Sequence, residues 1–162
     1  MEYIIDEENG IILDKVTHDR CIIITKNRMA QILSRFIDIF QSSSQLVINE
    51  AFKTAGERYI KETADEKKTN MSEFLKTNAK RFTNSGLGKI EVLQFEPEIG
   101  QVKFRIHNNF FAEITHGSST YCHGIDAFVT GMYKAFFHII PTVKEVKCIG
   151  KKDPYCEWHI TQ

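Results

Sequence analysis

Three of the four cysteines, Cys122, Cys148 and Cys156, fall in the C-terminal quarter of the chain, and Glu145 stands among them in a C-x22-E-x2-C-x7-C pattern. The segment V-K-E-V-K-C-I-G-K-K-D-P-Y-C-E-W-H-I reads as two β-strands around a turn at Gly150 to Pro154. A turn centred on Lys152 sets Cys148 opposite Cys156. Directly opposed residues place their Cβ atoms about 4.5–5.5 Å apart, so both thiolates can reach one zinc at about 2.3 Å. Cys148, Cys156, Trp158, Ile160 and Val146 share one parity and the apolar face, while Lys147, Glu157 and His159 share the other. Glu145 is out of phase with Cys148 and can join the site only from a strand start or a bulge.

Cys122 comes from a different element. G-S-S-T-Y-C-H-G opens a strongly apolar helix over 119–140, with Ser118 or Ser119 as N-cap. Cys122 then lies in the first turn, where the helix dipole favours a thiolate. Spacing alone leaves three readings open: metal ligands, buried free thiols, and a Cys148–Cys156 disulfide.

A chain of 162 residues has the length of one domain with a sizeable core. The 21 basic and 21 acidic residues cancel, which leaves no electrostatic footprint for direct binding to nucleic acid or an anionic membrane. No apolar run approaches the ~20 residues of a membrane span. The acidic start M-E-Y-I-I-D-E-E does not read as a signal peptide. With few cysteines, these features point to a reducing cytoplasm, which weighs against the disulfide.

Hydrophobic periodicity orders the remainder. Short β-prone runs, Y-I-I and C-I-I-I-T, flank the turn signal Asn9-Gly10. Thr25 caps a helix over 26–41 with an apolar stripe of Met29, Ile32, Leu33, Phe36, Ile37 and Phe40. The S-S-S run at 42–44 breaks it. A second helix follows over 45–65, with Ile48, Phe52, Ala55 and Tyr59 on one face. Asn70 and Glu73 resemble a capping box for a third helix, which Gly86 ends. Lys89 to Phe95 and Gln101 to Ile106 form a hairpin, with Val102, Phe104 and Ile106 on one side. The helix 119–140 carries a bulky stripe (Ile125, Phe128, Val129, Met132, Phe136, Ile139) and a small one (Gly124, Ala127, Gly131, Ala135), and Pro141 ends it. The small stripe admits either a packed backbone or a ligand. Helices segregate from hairpins, so the expected class is α+β, an antiparallel β-sheet with helices packed on it, in one domain over 1–162.

The ending E-V-K-C-I-G-K-K-D-P-Y-C-E-W-H-I, with the preceding H-G-I-D-A-F-V-T-G-M-Y, resembles the 4-vinyl reductase domain family. The similarity is strongest over 119–162. Lys-Lys-Asp-Pro-Tyr stands where the commoner family form has Gly-Asp-Pro-Tyr. The resemblance implies a fold shared distantly with TRAPP vesicle-tethering subunits and a pocket for small, largely hydrocarbon ligands between helices and sheet. It also implies a zinc on Cys122, Glu145, Cys148 and Cys156. Four protein ligands would make that zinc structural, and Lys144, Lys147, Lys151 and Lys152 offset the negative charge of such a site.

The leading reading is therefore a zinc-containing sensor or carrier for an apolar or aromatic molecule. Its pocket walls would be Phe104, Phe111, Tyr121, Phe128, Met132 and Trp158, with Tyr121, Trp158 and His107 as polar groups. A homodimeric interaction module through the N-terminal helices is an alternative that can coexist with it. Reduction of a vinyl group is the third reading. It needs an electron source, and the one glycine-rich run, S-G-L-G-K at 85–89, lacks a full dinucleotide or phosphate-loop fingerprint. The six histidines form no i, i+4 metal pair and no triad, so no catalytic residue is assigned.

Overall fold

A computed structural model describes residues 3–15, 18–64, 70–96, 98–114 and 122–162. The chain begins with β1 (Tyr3–Asp6), β2 (Ile11–Asp14) and β3 (Arg20–Cys21), which pair as a small antiparallel sheet in that order. The β1–β2 turn runs through Asn9 and Gly10. The Asp6 carboxylate accepts from the Asn9 backbone and side chain, and Gly10 takes φ +62°. The expected C-I-I-I-T strand stops at Cys21, and Ile22 and Ile23 stand in solvent. The second strand of this sheet comes instead from I-I-L-D, directly after the turn.

Helix α1 (Lys26–Phe40) starts at Thr25, whose hydroxyl accepts from the Arg28 backbone N–H. A 3-10 turn over the serine run joins it to α2 (Ser44–Thr63). The inward residues of α2 are Ser44, Ile48, Gly56 and Ile60, so Ala55 is exposed and Gly56 takes the place expected for it. Successive steps of four residues select position 56. Helix α3 (Met71–Asn84) is capped by the Asn70 side chain on the Glu73 N–H, and Gly86 follows its end at φ +79°.

The main sheet contains β4 (Lys89–Glu96), β5 (Gln101–His107), β6 (Thr142–Lys147) and β7 (Cys156–Thr161), all antiparallel, in the order β4-β5-β7-β6. Its inner face carries Val102, Phe104 and Ile106 from β5 and Cys156, Trp158 and Ile160 from β7, all buried. Phe104 is paired with Trp158 in register, and their rings stack at 5.2 Å. Short helix α4 (Phe110–Ile114) leads toward α5 (Cys122–Phe137). The N-cap expected at Ser118 or Ser119 lies outside the described residues. Helix α5 ends three residues before the expected 140, with His138 in the left-handed region at φ +58°. Ile140, which precedes Pro141, is disfavoured in helical backbone in any case.

The α2–α5 crossing is the most extensive helix contact. The small stripe of α5 makes it possible: a Cβ on Gly131 would overlap the Lys53 carbonyl, and one on Gly56 would overlap the Phe128 carbonyl. A Cβ on Gly124 would sit 3.4 Å from the Phe52 ring. The stripe thus admits a backbone, and the bulky stripe of α5 is left to face α3 and the sheet. The architecture is α+β, helices on antiparallel sheets, as the sequence implies. No helix among the described residues is long and apolar enough to cross a membrane.

Candidate metal centre and apolar cavity

Cys122 at the start of α5, Glu145 on β6, Cys148 just after β6 and Cys156 at the start of β7 converge. One ligand atom from each lies within 4.8 Å of every other. Cys122 Sγ is 3.6 Å from Cys148 Sγ, which is 4.0 Å from Cys156 Sγ. Four donors held tetrahedrally at ~2.3 Å lie about 3.8 Å apart, so the thiols are spaced as ligands of one ion. The sulfur separations are also far beyond the ~2.05 Å of a disulfide, and all four cysteines are free thiols.

A bulge brings Glu145 into the cluster. Glu145 pairs with Trp158 and Lys147 with Glu157, so Val146 is an extra residue on β6. Glu145 therefore shares the inner face with Trp158, and Cys148, the next inward position beyond the bulge, lies beside Cys156. Val146 itself turns outward and is exposed, contrary to the strict alternation that put it on the apolar face. The hairpin closes through a 3-10 turn over Ile149–Lys151, with Lys152 left-handed at φ +73° and the Asp153 carboxylate accepting from the Cys148 N–H at 2.8 Å.

The electrostatics of the cluster fit a cation. Oε1 of Glu145 is buried and has no hydrogen-bond partner among the described residues. Burial holds the Glu145 carboxyl above the usual range, in spite of thiol hydrogen bonds from Cys148 and Cys122. Burial pushes the Cys148 thiol up to about 11. Cys122 is pushed far up by its hydrogen bond with Cys156, by burial and by its acidic neighbours. Cys156 is lowered to about 7, chiefly by the Cys122 thiol and then by the Ile149 N–H. Four acids share one buried space, and only a cation there would let them ionise together. Of the four lysines expected to offset that charge, Lys151 acts on Glu145, while Lys147 turns to the Tyr155 hydroxyl at 2.8 Å.

Two supporting residues carry little signal in the sequence. Asn109, fully buried, directs its amide at Cys122 Sγ (3.8 Å) and accepts from the Phe111 N–H. Asp126, one turn beyond Cys122, accepts from the Trp158 indole N–H at 2.6 Å and lies 3.2 Å from His123 Nδ1. An acid inside the apolar H-G-I-D-A-F run was the one visible signal.

Beside the cysteine cluster, α3, α5 and the inner sheet face enclose a partly open apolar cavity of about 240 Å³. Phe104, Phe128 and Met132 line it, together with Ile125, Val129 and Tyr133 of α5. Three further expected wall or polar residues do not. Phe111 packs edge-on against Phe52, and Trp158 lies under Phe104 with its N–H committed to Asp126. His107 is on the outer sheet face, 3.1 Å from Glu91 and close to the Tyr155 ring. Tyr121 lies outside the described residues. The wall that sequence reasoning missed is α3, through Leu75, Ala79 and Phe82, with Tyr59 of α2. No residue of α3 is fully buried: Leu75 and Phe82 pack against the edge of the core and also line the cavity.

The polar side of the cavity is one network. Arg81 Nη2 donates to both oxygens of Asp14 at 3.1 Å, Arg81 Nη1 donates to the Tyr59 hydroxyl at 3.1 Å, and Tyr59 donates to Asn78 Oδ1. Burial raises the Tyr59 phenol above its ordinary value.

No protein-family model matches the sequence, and no curated protein matches it at a significant level. Solved structures do share the fold. The phenol-responsive sensory domain of the transcription activator PoxR, solved with phenol, superposes with a TM-score of 0.78 at 13% identity, over 98% of this chain and 84% of that one. A vinyl-4-reductase family protein from Methanocaldococcus jannaschii gives 0.53 at 15% identity, over 87% and 83%. A trafficking protein particle complex subunit 3 from Naegleria fowleri, covalently bound to palmitic acid, gives 0.56 at 12% identity, over 84% and 93%. At these identities the likeness is one of fold, and the fold is the one these three proteins have in common.

Proposed function

We propose that this chain is a small-molecule sensor or carrier domain of the 4-vinyl reductase type, acting in the cytoplasm. It would hold an apolar or aromatic ligand between α3, α5 and the sheet. The observation that carries the reading is the 240 Å³ cavity, walled almost wholly by apolar side chains. A dry apolar cavity of ~150 Å³ is already enough for benzene, so this one takes more than a single ring. The likeness to a phenol-responsive sensory domain and to a palmitate-bound subunit supports a fold that accommodates such molecules.

Zinc is the metal proposed for Cys122, Glu145, Cys148 and Cys156, because three thiolates and a carboxylate at tetrahedral spacing suit it. With four protein ligands the ion would be a cross-link between α5 and the β6–β7 hairpin, next to the cavity but outside it.

Homodimerisation is a compatible second proposal. Helix α1 has no buried residue, and Ile32, Ile39 and Phe40 stand exposed on it, with Leu46 following on α2. Such an apolar surface marks an association site.

Native mass spectrometry of the purified protein tests all three statements in one measurement. The expected result is a dimer with one zinc per chain, which takes up toluene or a medium-chain alkane. A zinc-free monomer that takes up no apolar compound would overturn the reading.

A further inference from the structure

Among the described residues lining the cavity, Arg81 is the one charged group. A cation in an apolar wall is unfavourable unless it is paired. Its partner, Asp14, comes from the N-terminal sheet, and among the described residues that sheet makes no extensive packing contact with the helices or the main sheet. Both side chains are largely out of water, 14% and 5% exposed. The pairing is also not the strongest that arginine offers. Asp14 takes both contacts from the single nitrogen Nη2, whereas the guanidinium fork suits a carboxylate that accepts from two nitrogens in parallel.

We propose that Arg81 is the anchor for the carboxylate of an apolar-tailed acid, and that Asp14 occupies this anchor when no such ligand is bound. The proposal rests on the cavity being a ligand site. Binding exchanges one carboxylate for another at the guanidinium, so the buried charge stays balanced. Asp14 returns to water with its loosely packed strand, and the tail fills the cavity. At ~30 Å³ per water-sized group the cavity admits roughly eight such groups, which fits a medium-chain or aromatic acid. An alcohol or hydrocarbon of the same length fills the cavity but cannot replace Asp14, since removing one partner of a buried pair without substitution is strongly unfavourable. Tyr59 and Asn78 keep the guanidinium aimed at the cavity through the Tyr59 hydroxyl.

The test is calorimetric titration of octanoate and octanol at neutral pH into the wild-type protein and Asp14→Asn, with hydrogen exchange of residues 11–14 followed in parallel. Octanoate is expected to bind about tenfold more tightly than octanol. Asp14→Asn, which removes the internal competitor, should tighten octanoate by about tenfold again and leave octanol unchanged. Exchange in β2 should rise with octanoate and not with octanol. If Asp14→Asn does not fold, the wild-type comparison and the exchange data decide. Equal affinities for the two compounds, with no change in β2 exchange, would overturn the anchor and leave the cavity reading intact. Failure of octanoate, octanol and toluene alike, in protein that melts cooperatively, would remove the cavity reading and the anchor with it.

Discussion

Gly131 on α5 lies directly against the Lys53 carbonyl of α2, and a methyl group at that position would overlap the carbonyl oxygen and sit 3.0 Å from the Glu57 nitrogen. Gly131→Ala gains up to about 1 kcal/mol of helix propensity. Against that, the two backbones must separate along the largest helix contact, and overpacking of this kind costs about 1–3 kcal/mol or more. The clash is with backbone, which cannot rotate away, so the net effect is expected to be a loss of about 2 kcal/mol. A fall in melting temperature of roughly 4–8 °C checks it; a variant that melts at or above the wild type contradicts the close crossing.

With the proposed zinc bound, Cys156→Ser should lose it and destabilise by about 4 kcal/mol, because the change removes a proposed ligand that would tie α5 to the terminal hairpin. Cys21→Ser should change stability by no more than about 0.5 kcal/mol, since Cys21 is half-exposed at the end of a two-residue strand. Zinc content and urea melts of the two proteins give the comparison. Equal stability, or full zinc in Cys156→Ser, would show that the cluster is no cross-link.

Burial raises the Tyr133 phenol well above its ordinary value of 10.0. The unfolded chain therefore loses this proton first as pH rises, and folding stability falls from about pH 10 upward by up to ~1.4 kcal/mol per unit for this residue. Tyr133→Phe abolishes that slope and also removes the hydrogen bond to the Gly100 carbonyl, worth about 1 kcal/mol. The variant should thus be the less stable at pH 8 and nearly equal to wild type at pH 11. Urea titrations at the two pH values check it, and a gap that stays constant would place Tyr133 in contact with solvent.

Ala79 faces the cavity from α3. Ala79→Leu should fill part of the void, raise stability by about 1 kcal/mol and weaken toluene binding by about tenfold. A calorimetric titration beside a thermal melt separates the two effects. Unchanged toluene affinity would mean that any bound ligand lies elsewhere.

The terminal hairpin was largely legible because local rules fix it: alternation set the inner face of β7, though not of bulged β6, and Gly150 to Pro154 set the turn. The hairpin at 89–106 and the caps at Thr25 and Asn70 were legible for the same reason. The role of α3 was not. Leu75, Ala79 and Phe82 give the same periodic signal whether they press on a sheet or overlook a void, and only the tertiary arrangement distinguishes the two. The aromatic residues Trp158 and Phe111 illustrate the converse. Both are large, apolar and inward, yet each is consumed by packing, Trp158 on Phe104 and Phe111 on Phe52. Sequence pattern reports which side chains leave water, but not whether they meet each other or a guest.

The extra residue on β6 has a bearing on how such a site can vary. In a regular strand, two inward side chains are separated by an even count, and Glu145 and Cys148 are separated by an odd one. Val146 absorbs the difference as the unpaired residue of the bulge, and its identity matters little. Many substitutions at 146 should be silent, and deleting that single position should also leave the carboxylate on the inner face, because Glu145 and Cys148 would then stand two apart in a regular strand. The proposed ligand set is therefore protected at this point against spelling errors and against the loss of one residue.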